Sequence, residues 1–138
     1  ELEKRYLNER AIKVSIFMSI FNVHINRIPY SGKVLSVSYN PGRFISANRD
    51  KASLENEQNA VIIGTKEGEK ILFIQIAGLI ARRIVCRLNA GNNVERGERF
   101  GLIRFGSRVD IFLPPDVELK IKKGSKVKGG ETVIGVMR

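Results

Sequence analysis

A chain of 138 residues, 43% of them hydrophobic, is one domain with enough apolar mass to bury a core, which excludes a disordered polymer. Twenty-four Lys and Arg against 14 Asp and Glu leave a net charge of +10, so the surface attracts anions, whether phosphate esters, nucleic acid or an acidic lipid surface. The single cysteine, Cys86, excludes an internal disulfide and a thiol-rich metal site, fits a reducing compartment, and has the ordinary reading of a small apolar core residue.

The chain opens on Glu1-Leu-Glu-Lys-Arg without an initiator Met, and we expect a truncated or processed protein. Residues 1–10 are charged, with Leu2, Tyr6 and Leu7 as the large apolar groups, and allow a lead-in strand or a short frayed helix. Ala11 to Phe21 is rich in β-branched and aromatic residues, which predicts a strand and then a turn near Ser19. In Asn22 to Arg27 the polar Asn22, His24 and Asn26 alternate with Val23 and Ile25, the pattern of an extended segment with one face free for polar work. Pro29 keeps the backbone extended.

Ser31 to Tyr39 alternates as a strand closed by the Asn40-Pro-Gly turn. Arg43 to Gln58 has little periodicity and many charges, which predicts a long surface loop with room for one helical turn at Ala52 to Glu57. Asn59 to Thr65 and Lys70 to Ile76 read as a hairpin across Lys66-Glu-Gly-Glu. Ile71 to Leu88 imitates a helix, but its Ile and Val content and the central Gly78 favour two strands broken at Ala77-Gly78. The longest apolar run, Ile71 to Ala81, is too short to cross a bilayer, and no secretory signal is visible.

A weak repeat follows: Gly91-x-x-Val94-x-x-Gly97-Glu98 recurs 33 residues later as Gly124-x-x-Val127-x-x-Gly130-Glu131. A valine between two glycine turns suits a strand entering and leaving tight turns, so two similar hairpin elements are expected. They resemble the hairpins of lipoyl and biotinyl carrier domains, without the lysine that those carriers modify. The expected fold is mainly β, a compact β-sandwich or barrel-sandwich hybrid with hairpin repeats and little helix. Between the apolar runs Phe100 to Phe105 and Val109 to Leu113 lies Gly106-Ser107, which reads as a tight turn between strands. Alone, such a dipeptide is common loop punctuation.

Three segments change its meaning together. Ile16-Phe-Met-Ser-Ile-Phe-Asn-Val-His-Ile-Asn-Arg-Ile-Pro29, Gln75-Ile-Ala-Gly-Leu-Ile-Ala-Arg-Arg-Ile-Val-Cys86 and Gly97-Glu-Arg-Phe-Gly-Leu-Ile-Arg-Phe-Gly-Ser-Arg-Val-Asp110 resemble, in order, the short form of the phosphatidylserine decarboxylase family. The resemblance implies that the chain cuts itself at Gly106-Ser107, leaving residues 1–106 as a β chain and residues 107–138 as an α chain headed by a pyruvoyl group made from Ser107. These stay together as an α/β heterodimer, itself expected to dimerise. Phosphatidylserine, or an archaeal ether-lipid analogue, would be converted to the ethanolamine lipid and carbon dioxide at an anionic membrane surface. The enzyme would be peripheral, on the cytoplasmic side, and that chemistry needs no metal.

The same resemblance makes His24 a general acid/base; by itself a lone histidine is more often structural or surface. Long-form relatives carry a second His three residues on, where this chain has Arg27, which is no base. Members of the family also carry an upstream Ser-Pro-Ala-Asp-Gly-like stretch whose Asp supports self-cleavage, and we expect a truncated or processed chain to be missing it. For the lipid phosphate the candidates are Arg27, Arg82, Arg83, Arg104 and Arg108, with Asn22 beside them, since guanidinium matches phosphate bidentately. Neighbouring Arg82 and Arg83 cannot both face one side of a strand. Asp110 is a partner for one of these arginines, and Phe17, Met18, Ile20 and Phe21 either contact acyl chains or pack the core. The rival reading is a basic β-barrel that binds nucleic acid without catalysis, which Arg99-Phe-Gly-Leu-Ile-Arg-Phe105 weakly imitates. Three Tyr and no Trp speak against it.

Overall fold

Alternation of apolar and polar residues, and Val/Ile-rich runs between glycine turns, yield strands throughout the computed structural model, which describes residues 2–3, 7, 9–18, 23–42, 56–78, 84–104, 107–127 and 132–137. In chain order the strands are β1 (Leu2–Glu3), β2 (Glu9–Arg10), β3 (Ile12–Phe17), β4 (Val23–Arg27), β5 (Gly32–Asn40), β6 (Gln58–Gly64) and β7 (Lys70–Ile76). Then come β8 (Ile84–Cys86), β9 (Asn93–Val94), β10 (Arg99–Arg104), β11 (Arg108–Leu113), β12 (Glu118–Leu119) and β13 (Gly135–Val136). No helix occurs among the described residues.

The main sheet is antiparallel with the order β3-β11-β7-β6-β5-β9, and a second sheet has the order β4-β10-β8. Neither closes into a barrel. The β6–β7 hairpin runs across Thr65 to Glu69, and Gly68 supplies its left-handed residue at φ 88°. One face of the main sheet carries Val14, Val61, Ile63, Ile71, Phe73, Ile111 and Leu113 in a core with Ile28, Leu88 and Phe100 from the second sheet and its flanks. There the Phe73 and Phe100 rings meet edge to face, 5.1 Å apart. The other face buries Ala60, Leu72, Ile74, Ile76 and Phe112 with Leu7 and Ala11. β7 is therefore covered on both sides, which is why its sequence is a nearly continuous apolar run rather than an alternating one.

The fold is the mainly β sandwich that the patterning predicts, and the break at Ala77-Gly78 is where β7 ends. Of the two forms open to the N-terminal residues, the structure takes the strand, with β1 paired against β2. Two local readings change. Within the predicted surface loop at 43–58, Asn56 and Gln58 are each 1% exposed, and Asn56 sits in a β-bridge, not a helical turn. Their amides are satisfied locally: Asn56 Nδ2 donates to the Ala77 carbonyl at 2.6 Å and Gln58 Nε2 to the Asn56 carbonyl at 3.1 Å. Residues 43–55, like Ser19, lie outside the described residues. In the glycine-valine repeat, Gly91, Gly97 and Gly124 all have positive φ, but Val94 is a buried residue of β9 paired with Gly32, whereas Val127 is half-buried and in no strand.

Candidate active site

β11 is an inner strand, held by β3 on one edge and β7 on the other. Ser107 is the residue that leads into it, only 1% exposed. Its carbonyl accepts the Met18 N–H at 2.9 Å, which continues the β3 ladder by one step and fixes the backbone on the C-terminal side of the Gly106-Ser107 bond. Its hydroxyl donates to Met18 Sδ at 3.8 Å, which is its hydrogen-bond partner among the described residues. A thioether is a weak acceptor. The hydroxyl is thus kept out of water and oriented without being locked by a strong bond, a condition that suits a nucleophile.

Met18 is in turn approached by Asn26 Nδ2 of β4 at 4.0 Å. Asn26 Oδ1 accepts from Gln75 Nε2 at 2.8 Å, the same nitrogen donates to the Val85 carbonyl at 3.1 Å, and Gln75 Oε1 accepts from Asn59 Nδ2 at 3.1 Å. Asn26, Gln75 and Asn59 are 6%, 0% and 3% exposed. This polar file crosses from β6 through β7 to β4 inside an otherwise apolar sandwich. It passes Gly101 of β10, where a Cβ would lie 2.0 Å from the Val85 carbonyl oxygen and 3.1 Å from Gln75 Nε2. Only glycine lets the strands close over the amide there.

Because side chains alternate along a strand, Arg108 and Asp110 occupy the face of β11 opposite Val109 and Ile111. Both are buried, and the Arg108 guanidinium meets the Asp110 carboxylate through Nε at 3.0 Å and one Nη at 3.3 Å. Ser15 Oγ donates to the same carboxylate at 2.7 Å, and Lys13 Nζ lies 3.8 Å away. The Arg108 guanidinium also stands over the Phe17 ring at 5.7 Å.

Of the residues singled out in the sequence, Ser107 and Met18 meet, and Asp110 finds its arginine in Arg108. Arg108 is thereby engaged within the protein. Arg27, half-buried at the end of β4, donates from an Nη to the Gly97 carbonyl at 3.0 Å. His24 lies in β4 opposite Ile103 of β10, and Arg104 opposite Val23. Asn22, Arg82, Arg83, Gly106, Ile20 and Phe21 lie outside the described residues. Phe17 is 57% exposed, and Cys86 is half-buried in β8 against the core. Among the described residues no group of three or more His, Cys, Asp or Glu is placed to hold a metal ion, and no helix is long and apolar enough to cross a membrane. The sequence reading missed Gln75 and Asn59. The available signal was Gln75 itself, a lone amide in the run Ile71 to Ala77.

Comparison with known proteins gives a consistent picture. A profile of the phosphatidylserine decarboxylase family matches residues 2–135. The chain is 57% identical over 129 residues to the phosphatidylserine decarboxylase proenzyme of Syntrophus aciditrophicus (strain SB), covering 94% of this chain and 61% of the relative. Over 123 residues it is 59% identical to the proenzyme of Rickettsia africae (strain ESF-5) and 58% identical to that of Rickettsia typhi (strain ATCC VR-144 / Wilmington), in each case 89% of this chain and 53% of the relative. The chain therefore spans between 53% and 61% of the length of these relatives. No solved structure matches it.

Proposed function

Since the chain belongs to the phosphatidylserine decarboxylase family, we propose that residues 1–138 form the catalytic domain of a pyruvoyl-dependent carboxy-lyase that cuts itself between Gly106 and Ser107 and then decarboxylates phosphatidylserine. The observation that carries the proposal is the setting of Ser107, a buried hydroxyl at the head of a strand clamped on both edges. In self-cleavage Ser107 Oγ attacks the Gly106 carbonyl carbon, the C–N bond breaks, and the hydroxyl proton passes to the freed amine, giving an ester. Loss of the Ser107 α-proton then expels the Gly106 carboxylate and leaves dehydroalanine. Addition of water and departure of ammonia yield the pyruvoyl group.

The surroundings of Ser107 fit such a group. A pyruvoyl has no hydroxyl to donate, and the neighbour it would inherit, Met18 Sδ, is a soft contact that does not depend on that hydrogen bond. When formed, the group supplies an electrophilic carbonyl that captures the substrate amine and draws off the electron pair as carbon dioxide leaves. The protein's own part is to keep that position dry, to return a proton from His24 to the carbon that lost carbon dioxide, and to bind the lipid phosphate. Arg82, Arg104 and Arg27 are the guanidiniums for that last task. Arg108 serves instead through Asp110 to hold β11. The net charge of +10 favours a peripheral seat on an anionic, cytoplasmic membrane face. The nucleic-acid alternative is not favoured by the family match.

Denaturing intact-mass measurement of the full-length protein tests this. The expected result is two chains parting before Ser107, the smaller one gaining hydrogen on borohydride treatment, and carbon dioxide release from phosphatidylserine vesicles. Ser107→Ala is expected to stay a single inactive chain. Cleavage elsewhere, or activity in Ser107→Ala, overturns the reading.

A further inference from the structure

We propose that Gln75 is a positioning residue for the reaction at Ser107, acting through Asn26 and Met18; the inference rests on the self-cleavage reading above. A fully buried amide in the apolar strand β7 is costly unless all its groups are paired. Gln75 meets that condition in one orientation only. The Val85 carbonyl is purely an acceptor, so it must face Gln75 Nε2, and Gln75 Oε1 must then face the Asn59 Nδ2 donor. The same Nε2 demands an acceptor from Asn26, which turns Asn26 Oδ1 toward Gln75 and Asn26 Nδ2 toward Met18.

The consequence falls on the nucleophile. Met18 Sδ is shared between Asn26 Nδ2 and the Ser107 hydroxyl, at 4.0 and 3.8 Å. With Asn26 held in this sense, the side facing the sulfur carries a donor, which secures the thioether against Ser107. With the amide reversed, a carbonyl oxygen would stand there. That oxygen repels the sulfur's lone pairs and loosens the thioether's seat against Ser107. Gln75 and Asn59, anchored on the rigid β6–β7 hairpin, thus fix the polarity of a group one residue removed from the reacting oxygen. Simple packing does not need this, since Met or Leu would fill the Gln75 site at lower desolvation cost.

The test follows cleavage of the full-length precursor over time by denaturing intact mass, starting from freshly refolded protein. Gln75→Met keeps the volume and removes the polar file, and cleavage is expected to slow about tenfold. Val61→Ala, a truncation at a 0% exposed core site outside the file, is the control for lost stability and is expected to cleave at nearly the parent rate. Gln75→Glu adds a readout within one protein. As a carboxylate it opposes two acceptors, Asn26 Oδ1 and the Val85 carbonyl, whereas the protonated acid can donate to one of them. Burial raises its pKa, so its cleavage rate is expected to recover on the acid side of the range from about pH 5 to 9, where the parent's does not. Parent-like cleavage in Gln75→Met, equal slowing in Val61→Ala and Gln75→Met at matched stability, or a Gln75→Glu profile parallel to the parent's each overturns the role of Gln75 alone. A parent precursor that never cleaves overturns the reading beneath it as well.

Discussion

Replacing Asp110 by alanine gives the largest single-site loss that the structure supports outside the aromatic core. The Asp110 carboxylate is 1% exposed and faces an Arg108 side chain that is 4% exposed. Removing it leaves the buried guanidinium without its carboxylate, and breaking a buried pair in this way costs about 3–5 kcal/mol. Ser15 loses the acceptor it meets at 2.7 Å, a further 1 kcal/mol or so. For a domain whose total stability is about 5–15 kcal/mol, that is about a quarter or more. Lys13 sits 3.8 Å from the same carboxylate but is 28% exposed, so Lys13→Ala is worth about 1 kcal/mol at most. The ion pair and the packing separate in a double variant. Arg108→Met with Asp110→Leu removes both charges together and is expected to cost less than Asp110→Ala alone. Urea unfolding followed by circular dichroism reads these three variants and the singles Arg108→Met and Asp110→Leu, in a Ser107→Ala background that would keep the chain covalently whole under the self-cleavage proposed above. An Asp110→Ala protein within 1 kcal/mol of its parent, or a double variant equal to the sum of its singles, would refute the reasoning.

Gly101→Ala is expected to force β8 away from β10, because its new methyl would sit 2.0 Å from the Val85 carbonyl oxygen; soluble yield and melting temperature should both fall sharply. Gly91→Ala has open space around the new methyl but a φ of 94°, so its cost is backbone strain of about 1–2 kcal/mol, measurable as a modest loss in a urea midpoint. Phe73→Ala removes one partner of the edge-to-face pair with Phe100 at a 1% exposed site and should cost about 3–5 kcal/mol by the same unfolding assay.

The strands were legible wherever one face meets water or a turn names itself. β5 alternates, the β6–β7 turn carries Gly68, and the interruption at Ala77-Gly78 ends β7. Pairing across long sequence distance was not legible. Nothing in Arg108 to Leu113 says that it inserts between β3 and β7, because an inner strand buried on both faces has lost the alternation that would reveal its neighbours. The site divides in the same way. Ser107 and the Arg108–Asp110 pair lie within a few residues of one another and could be proposed from local chemistry. The file from Asn59 through Gln75 to Asn26 joins three strands, and two of its members read as ordinary strand or loop polarity. Asn56 and Gln58 misled for a related reason: amides satisfied by nearby carbonyls look, in sequence, like amides that face solvent.

The place of β11 between two neighbours bears on what a backbone cut before Ser107 can do to the molecule. The peptide bond would be lost, yet Arg108 to Leu113 would remain laddered to β3 and to β7, with Ile111 and Leu113 embedded in one core and Phe112 in the other. Release of the smaller piece then requires opening the sandwich along both edges, so dilution should not separate the two chains under native conditions. Conversely, the two pieces made independently carry complementary vacant edges, and mixing them should restore by mass action the arrangement that the intact chain reaches by folding.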